Sequence, residues 1–116
     1  MITTWKNNQA PKPPFYAVIF ISRKSENLEG YEEMDAHMME LAQQQPGYLG
    51  YSSVSKPEGG IFISYWRDEA SIKNWRINLQ HGEAKANAQK WYSYYHSMIS
   101  KVESSHIFEA SLSDLT

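Results

Sequence analysis

The sequence predicts an α+β fold, one antiparallel sheet with helices on one face in the ferredoxin-like order β-α-β-β-α-β. Three observations carry this expectation. One strand-like run is apolar on both alternating faces, two further runs flank a turn cluster, and helical stripes follow the first and third of these strands.

The run FYAVIFIS, Phe15 to Ser22, is rich in aromatic and β-branched residues, which fit a pleated surface. Phe15, Ala17, Ile19 and Ile21 fall on one face and Tyr16, Val18 and Phe20 on the other. Between Leu28 and Gln45, Tyr31, Met34, Met38 and Leu41 recur at helical spacing, and Pro46-Gly47 supplies a stop. YLGYSSV (Tyr48–Val54) and IFISYW (Ile61–Trp66) flank Lys56-Pro57-Glu58-Gly59-Gly60, which reads as a hairpin with a longer loop.

Asp68 stands where an N-cap belongs, and Ile72, Trp75 and Leu79 mark the inward stripe of a second helix. Glu83 to Tyr95 continues helically through Ala84, Ala88, Trp91 and Tyr95, with Gly82 as a bend between the pieces. A final strand is expected over Ser97–Phe108, with Met98, Val102, His106 and Phe108 on one face and Ile99 and Ile107 on the other. The expected organisation is an extended arm over residues 1–14, one domain over residues 15–108 and a short tail over residues 109–116. Pro11, Pro13 and Pro14 keep the arm out of helix, while Trp5 offers it a side chain with which to dock.

Composition narrows the function. A chain of 116 residues holds one modest domain, so a pocket must lie within one core or between chains. The formal net charge of -2, with both signs interspersed, offers no basic stripe for nucleic acid or an anionic membrane. The absence of cysteine removes disulfides, thiolate nucleophiles and thiolate metal sites. No signal-like h-region and no apolar run near the roughly 20 residues that span a bilayer occur, so a cytoplasmic location without a membrane partner is expected.

Helices cover one side of such a sheet, yet the first strand is apolar both ways and the third sets Phe62 and Trp66 against Ile61, Ile63 and Tyr65. A second copy of the same sheet is the economical cover for the other face, giving a twofold homodimer.

The segments QQPGYLGYSSV (Gln44–Val54), SYWRDEASIKNW (Ser64–Trp75), His81 and KWYSYY running into KVE (Lys90–Glu103) resemble the antibiotic biosynthesis monooxygenase-like domains of the dimeric α/β-barrel superfamily. The resemblance spans about residues 15–108. It implies a dimeric α/β barrel and a cofactor-independent monooxygenase acting on a small aromatic or polyketide-like substrate between sheet and helices. The deprotonated substrate itself would reduce oxygen, with no flavin or metal. It also implies that Trp66 is similar to the tryptophan that closes the third strand and lines the pocket in such relatives. A haem-degrading branch carries an asparagine on the first strand and a histidine ligand farther along. Phe15–Ser22 has no asparagine, and His81 follows closely on Trp75, which disfavours a haem-handling protein. A non-catalytic small-molecule binding or sensing domain of the same fold is the alternative.

The candidate catalytic residues are His81, as a base for a phenolic proton, and Trp66; the candidate pocket-lining residues are Trp66, Tyr51, Trp75 and Phe20. Each has a competing packing role. Trp66 and Trp75 can fill the core, and His81 beside Gly82 can cap a helix end. His37, His96 and His106 show no paired metal-ligand spacing, Glu32-Glu33 reads as a solvated face, and Gly59-Gly60 lacks the strand-to-helix context of a phosphate loop.

Overall fold

The computed structural model describes residues 2–80 and 88–110. Its strands are β1 (Thr3–Trp5), β2 (Phe15–Lys24), β3 (Tyr48–Lys56), β4 (Gly59–Trp66) and β5 (Tyr92–Val102), and its longer helices are α1 (Tyr31–Gln43) and α2 (Glu69–Gln80). A 3-10 turn covers Lys6–Asn8, and residues 88–91 are helical. The strands form one antiparallel sheet in the order β1-β3-β4-β2-β5. From β2 onward this is the predicted ferredoxin-like α+β arrangement. Gly82, the expected bend, and the end of the tail lie outside the described residues.

Register assigns the faces, because side chains opposite one another in antiparallel strands project the same way. Tyr16, Val18 and Phe20 of β2 stand opposite Trp66, Ser64 and Phe62 of β4. This face carries the buried core of Ala42, Tyr48, Trp66, Ile72 and Trp75, with Tyr16 and Val18 packed against it, so it is the helix side. Helix α1 contributes Ala42 rather than the expected Leu41, which is exposed. On the helix-free side Ile19 and Ile21 meet Ile63 and Ile61, while Met98 stands beside Ile19 from β5.

Three expectations need correction. The arm is not merely extended: β1 adds an edge strand to β3 with Trp5 opposite Gly50, and the Ser53 amide donates to the Ile2 carbonyl at 3.0 Å. Trp5 covers one corner of the helix-free face, its ring 4.7 Å from Tyr65 and 6.5 Å from Phe15, and Phe15 is buried. Thr3–Trp5 of the arm is thus paired into the sheet.

The hairpin is tighter than expected. Only Pro57 and Glu58 form the turn, and Gly59 and Gly60 pair with both neighbouring strands, where a Cβ would collide with the backbone of Ser22 or Val54. The last strand starts and ends earlier than Ser97–Phe108. Tyr92–Val102 pairs along the whole of β2, so tertiary pairing takes Tyr92–Tyr95 away from the helical pattern. Beyond Val102 the chain leaves the sheet, and Phe108 is 79% exposed.

Gly50 decides whether the arm can lie down. Its φ of 154° and the position of an added Cβ, 2.6 Å from the Thr4 carbonyl oxygen and 2.8 Å from the Trp5 ring, leave no room for a side chain. Gly50→Ala is therefore expected to lift β1 and to lower stability by about 1 kcal/mol or more. Limited proteolysis would show faster cleavage within residues 1–14, and denaturant titration would show the loss.

Candidate functional site

The helix side of the sheet divides into a closed end and an open end. At the closed end Trp66 has 0% exposure. It stacks on Trp75 with centroids 6.1 Å apart and meets Tyr48 edge-on at 5.7 Å. Its indole N–H donates to the buried Ser64 hydroxyl at 2.8 Å, so its one polar atom is satisfied inside the core. Burial, and then the nearby Tyr51 phenol, push the Tyr48 hydroxyl up to about 12. Helix α2 is held over this end by its cap. Asp68 Oδ1 accepts from the Ser71 amide at 2.8 Å and the Ser71 hydroxyl at 2.6 Å.

Along the same face the rings change character. Phe62 and Tyr51 stack at 5.8 Å with their planes 18° apart, and both are half-buried rather than enclosed. Phe20, also half-buried, stacks on Tyr95 at 5.4 Å and takes the Tyr92 ring edge-on at 5.2 Å. Phe20, Tyr51 and Phe62 thus form a half-exposed aromatic wall continuous with the sealed core. Flat apolar rings with a few hydroxyls at their margin suit a planar, partly polar organic ligand.

A polar group borders this wall where α1 begins. Tyr92 donates from its hydroxyl to that of Tyr31 at 3.4 Å, and Lys24 Nζ lies 5.3 Å from the Tyr31 ring centroid. Asp35 stands one helical turn beyond Tyr31 on the same face of α1. Asp35 is exposed as a residue, yet desolvation of its carboxyl raises its pKa above the ordinary 3.8, with the Lys24 charge pulling it back. Burial, then the Tyr31 hydroxyl and the Asp35 charge, raise the Tyr92 phenol, which stays neutral and able to donate.

The structure separates the residues that the sequence nominates. Trp66 and Trp75 meet in the closed core, whereas Tyr51 and Phe20 stand on the half-exposed wall. His81 lies outside the described residues, as does the Leu79 side chain. The sequence reading missed Phe62, Tyr31, Asp35 and Tyr92 as neighbours of one site. The face of Phe62 was legible from alternation with Trp66, but the meeting of Tyr31 with Tyr92 depends on a β5 register that periodicity had obscured.

A five-stranded antiparallel sheet with helices on one face defines a ferredoxin-like α+β domain, with the half-exposed aromatic wall as its candidate site. The family is specific: the model of the antibiotic biosynthesis monooxygenase family matches residues 14–87, and the chain belongs to that family. It is 41% identical over 109 residues to the uncharacterized protein YqjZ of Bacillus subtilis (strain 168), an alignment covering 92% of this chain and 96% of that one. Among solved structures it is similar to SnoaB, a cofactor-independent oxygenase from Streptomyces nogalater, with a TM-score of 0.64 at 10% identity, covering 84% of this chain and 100% of that one. It is also similar to protein NE2512 from Nitrosomonas europaea, with a TM-score of 0.63 at 13% identity and coverage of 86% and 100%. At such identities the structural likeness concerns the fold alone.

Two outcomes follow from the closed end. Trp66→Ala is expected to cost about 3–5 kcal/mol, as for other large aromatic deletions in cores. Ser64→Ala, which strands the indole N–H, is expected to cost about 1–3 kcal/mol. Urea unfolding would rank them.

Asp68 also gives a pH signature. Its carboxyl is held below 3.8, first by the Ser71 hydroxyl, next by the Ser71 amide and then by Arg67. A depressed folded pKa stabilises above the unfolded value and is lost as pH falls through the folded one. Thermal unfolding in acid should therefore fall less steeply in Asp68→Ala than in the parent.

Proposed function

We propose that the chain is a cofactor-independent monooxygenase acting on a small aromatic or polyketide-like substrate between the sheet and its helices. It works as a homodimer joined through the helix-free face. The observation that carries the first part is the half-exposed wall of Phe20, Tyr51 and Phe62 on the helix side, in a chain of the antibiotic biosynthesis monooxygenase family. SnoaB, similar in fold, is described as a cofactor-independent oxygenase, which supports the reaction class.

The chemistry needs three things from the protein: a flat apolar seat, an acceptor for the substrate's proton and shelter from bulk water. Loss of that proton makes the substrate an electron-rich anion, which gives an electron to dioxygen. The resulting radicals combine at a ring carbon to form a peroxide. Where the carbon begins as CH2, one oxygen atom stays as a carbonyl and the other leaves as water with the two hydrogens lost. Atoms and electrons balance without an added reductant. His81 is the candidate proton acceptor from the sequence.

A second reading is favoured by one observation. Trp66 is fully enclosed and its N–H is already used, so this indole offers no free surface to a guest. A binding or sensing domain of the same fold needs no such group.

Oxygen uptake with a panel of phenols and quinols separates the two. A monooxygenase consumes one dioxygen per product that gains one oxygen atom and loses two hydrogens. Phe20→Ala should lower kcat/KM about ten- to a hundredfold, the share expected from roughly 1.5–3 kcal/mol of ring burial. Ligand-dependent thermal stabilisation without oxygen uptake or product would establish the binding domain instead.

A further inference from the structure

We propose that Asp35, with the hydroxyls of Tyr31 and Tyr92, forms the subsite that recognises the hydroxyl group of an aromatic ligand. Asp35 accepts that group's hydrogen bond as a positioning residue. This rests on the reading that the helix side of the sheet holds an aromatic guest, and adds to it which atoms select the guest.

Four observations converge on these residues. Tyr31 and Tyr92 come from separate elements, α1 and β5, and meet at the margin of the aromatic wall, where Tyr92 packs edge-on against Phe20. Tyr92 spends its proton on the Tyr31 oxygen at 3.4 Å, which leaves the Tyr31 proton available to a further acceptor. Asp35, on the same helical face as Tyr31, is an acceptor in an exposed position. Beside them the Tyr95 ring, 50% exposed and stacked on Phe20, presents a flat surface to a planar molecule.

A phenol or enol satisfies both ends of this arrangement. Its O–H donates to the Asp35 carboxylate, and its oxygen accepts from Tyr31. A methyl ether of the same shape lacks the donor and leaves the carboxylate unpaired, so the site should discriminate the two.

Ionisation of Asp35 sets the pH range. The groups facing it are Lys24 from β2, Tyr31 from its own helix and Tyr92 from β5. Lys24 is itself held by the Ser55 hydroxyl at 2.9 Å and the Lys56 carbonyl at 3.1 Å. Desolvation lifts the Asp35 carboxyl above 3.8, with the Lys24 charge opposing it. Recognition should therefore be complete at neutral pH and fade on acidification around a midpoint above that value, well below the range in which a naphthol ionises.

Calorimetric binding of 2-naphthol and 2-methoxynaphthalene tests this on the full chain. The parent should prefer the naphthol roughly tenfold or more, the scale of one hydrogen bond to a charged group. Asp35→Ala should reduce that preference to about twofold and abolish its pH dependence. Asp35→Asn, which keeps the shape, should reduce the preference partially and also abolish the pH dependence. Tyr31→Phe should lower naphthol affinity while retaining the pH midpoint. Circular dichroism establishes that each variant is folded. Equal affinities in the parent, or a preference retained in folded Asp35→Ala, would overturn the proposal. Discrimination without oxygen uptake would uphold this subsite while removing the monooxygenase reading, and uptake without discrimination would do the reverse.

Discussion

A sheet with two apolar faces and helices for only one of them is the constraint on which this molecule turns. Strand β2 cannot hide its alternating residues in one layer, because Tyr16, Val18 and Phe20 point to the helices while Phe15, Ala17, Ile19 and Ile21 point away. The chain answers part of the problem itself. It folds β1 back along β3 and lays Trp5 over Tyr65 and the buried Phe15. The cover stops there. Ile61 and Val54 are 48% and 45% exposed, and Ile19, Ile21, Ile63 and Met98 are half-exposed on the same side. A contiguous aliphatic surface of this kind is costly in water and favours association. A second copy of the face, matched to it by a twofold axis, would complete what Trp5 begins.

The helix side obeys a related logic. Trp66, Trp75, Tyr48 and Ile72 close one end, with Ser64 taking the Trp66 indole N–H and Asp68 capping the helix above it. That end gives rigidity. Toward the start of α1 the same face keeps Phe20, Tyr51 and Phe62 half-exposed and gathers Tyr31, Asp35, Tyr92 and Lys24 at their edge. The sealed packing and the proposed recognition site thus occupy adjacent parts of one surface. A well-ordered floor beneath a half-open wall is the preorganisation that binding or oxygen chemistry requires.

Much of this was legible because hydrophobic period reports which face is buried. The two-sided pattern of β2, the alternation of β4 and the Asp68 cap all appear in the residues, whereas the stripe of α1 is turned by one residue, from Leu41 to Ala42. What periodicity missed depends on distant partners. Thr3–Trp5 is too short to announce a strand, and its stability comes from Tyr65, Phe15 and the bare backbone of Gly50. Tyr95 fits a helical spacing as well as a strand, and pairing with β2 decides for the strand, while Trp91 stays in the helical turn before it. The candidate site was half legible for the same reason. Alternation puts Phe20 on the helix side, but only the fold shows that Trp66 is sealed and that Tyr31 reaches Tyr92.

Sedimentation velocity at micromolar concentration tests the central claim most directly. The account predicts a species of twice the protomer mass, reduced to the single protomer by Ile61→Lys without loss of the folded circular-dichroism spectrum. A lone and well-behaved parent protomer would contradict it, since the aliphatic face would then stand in water without a partner.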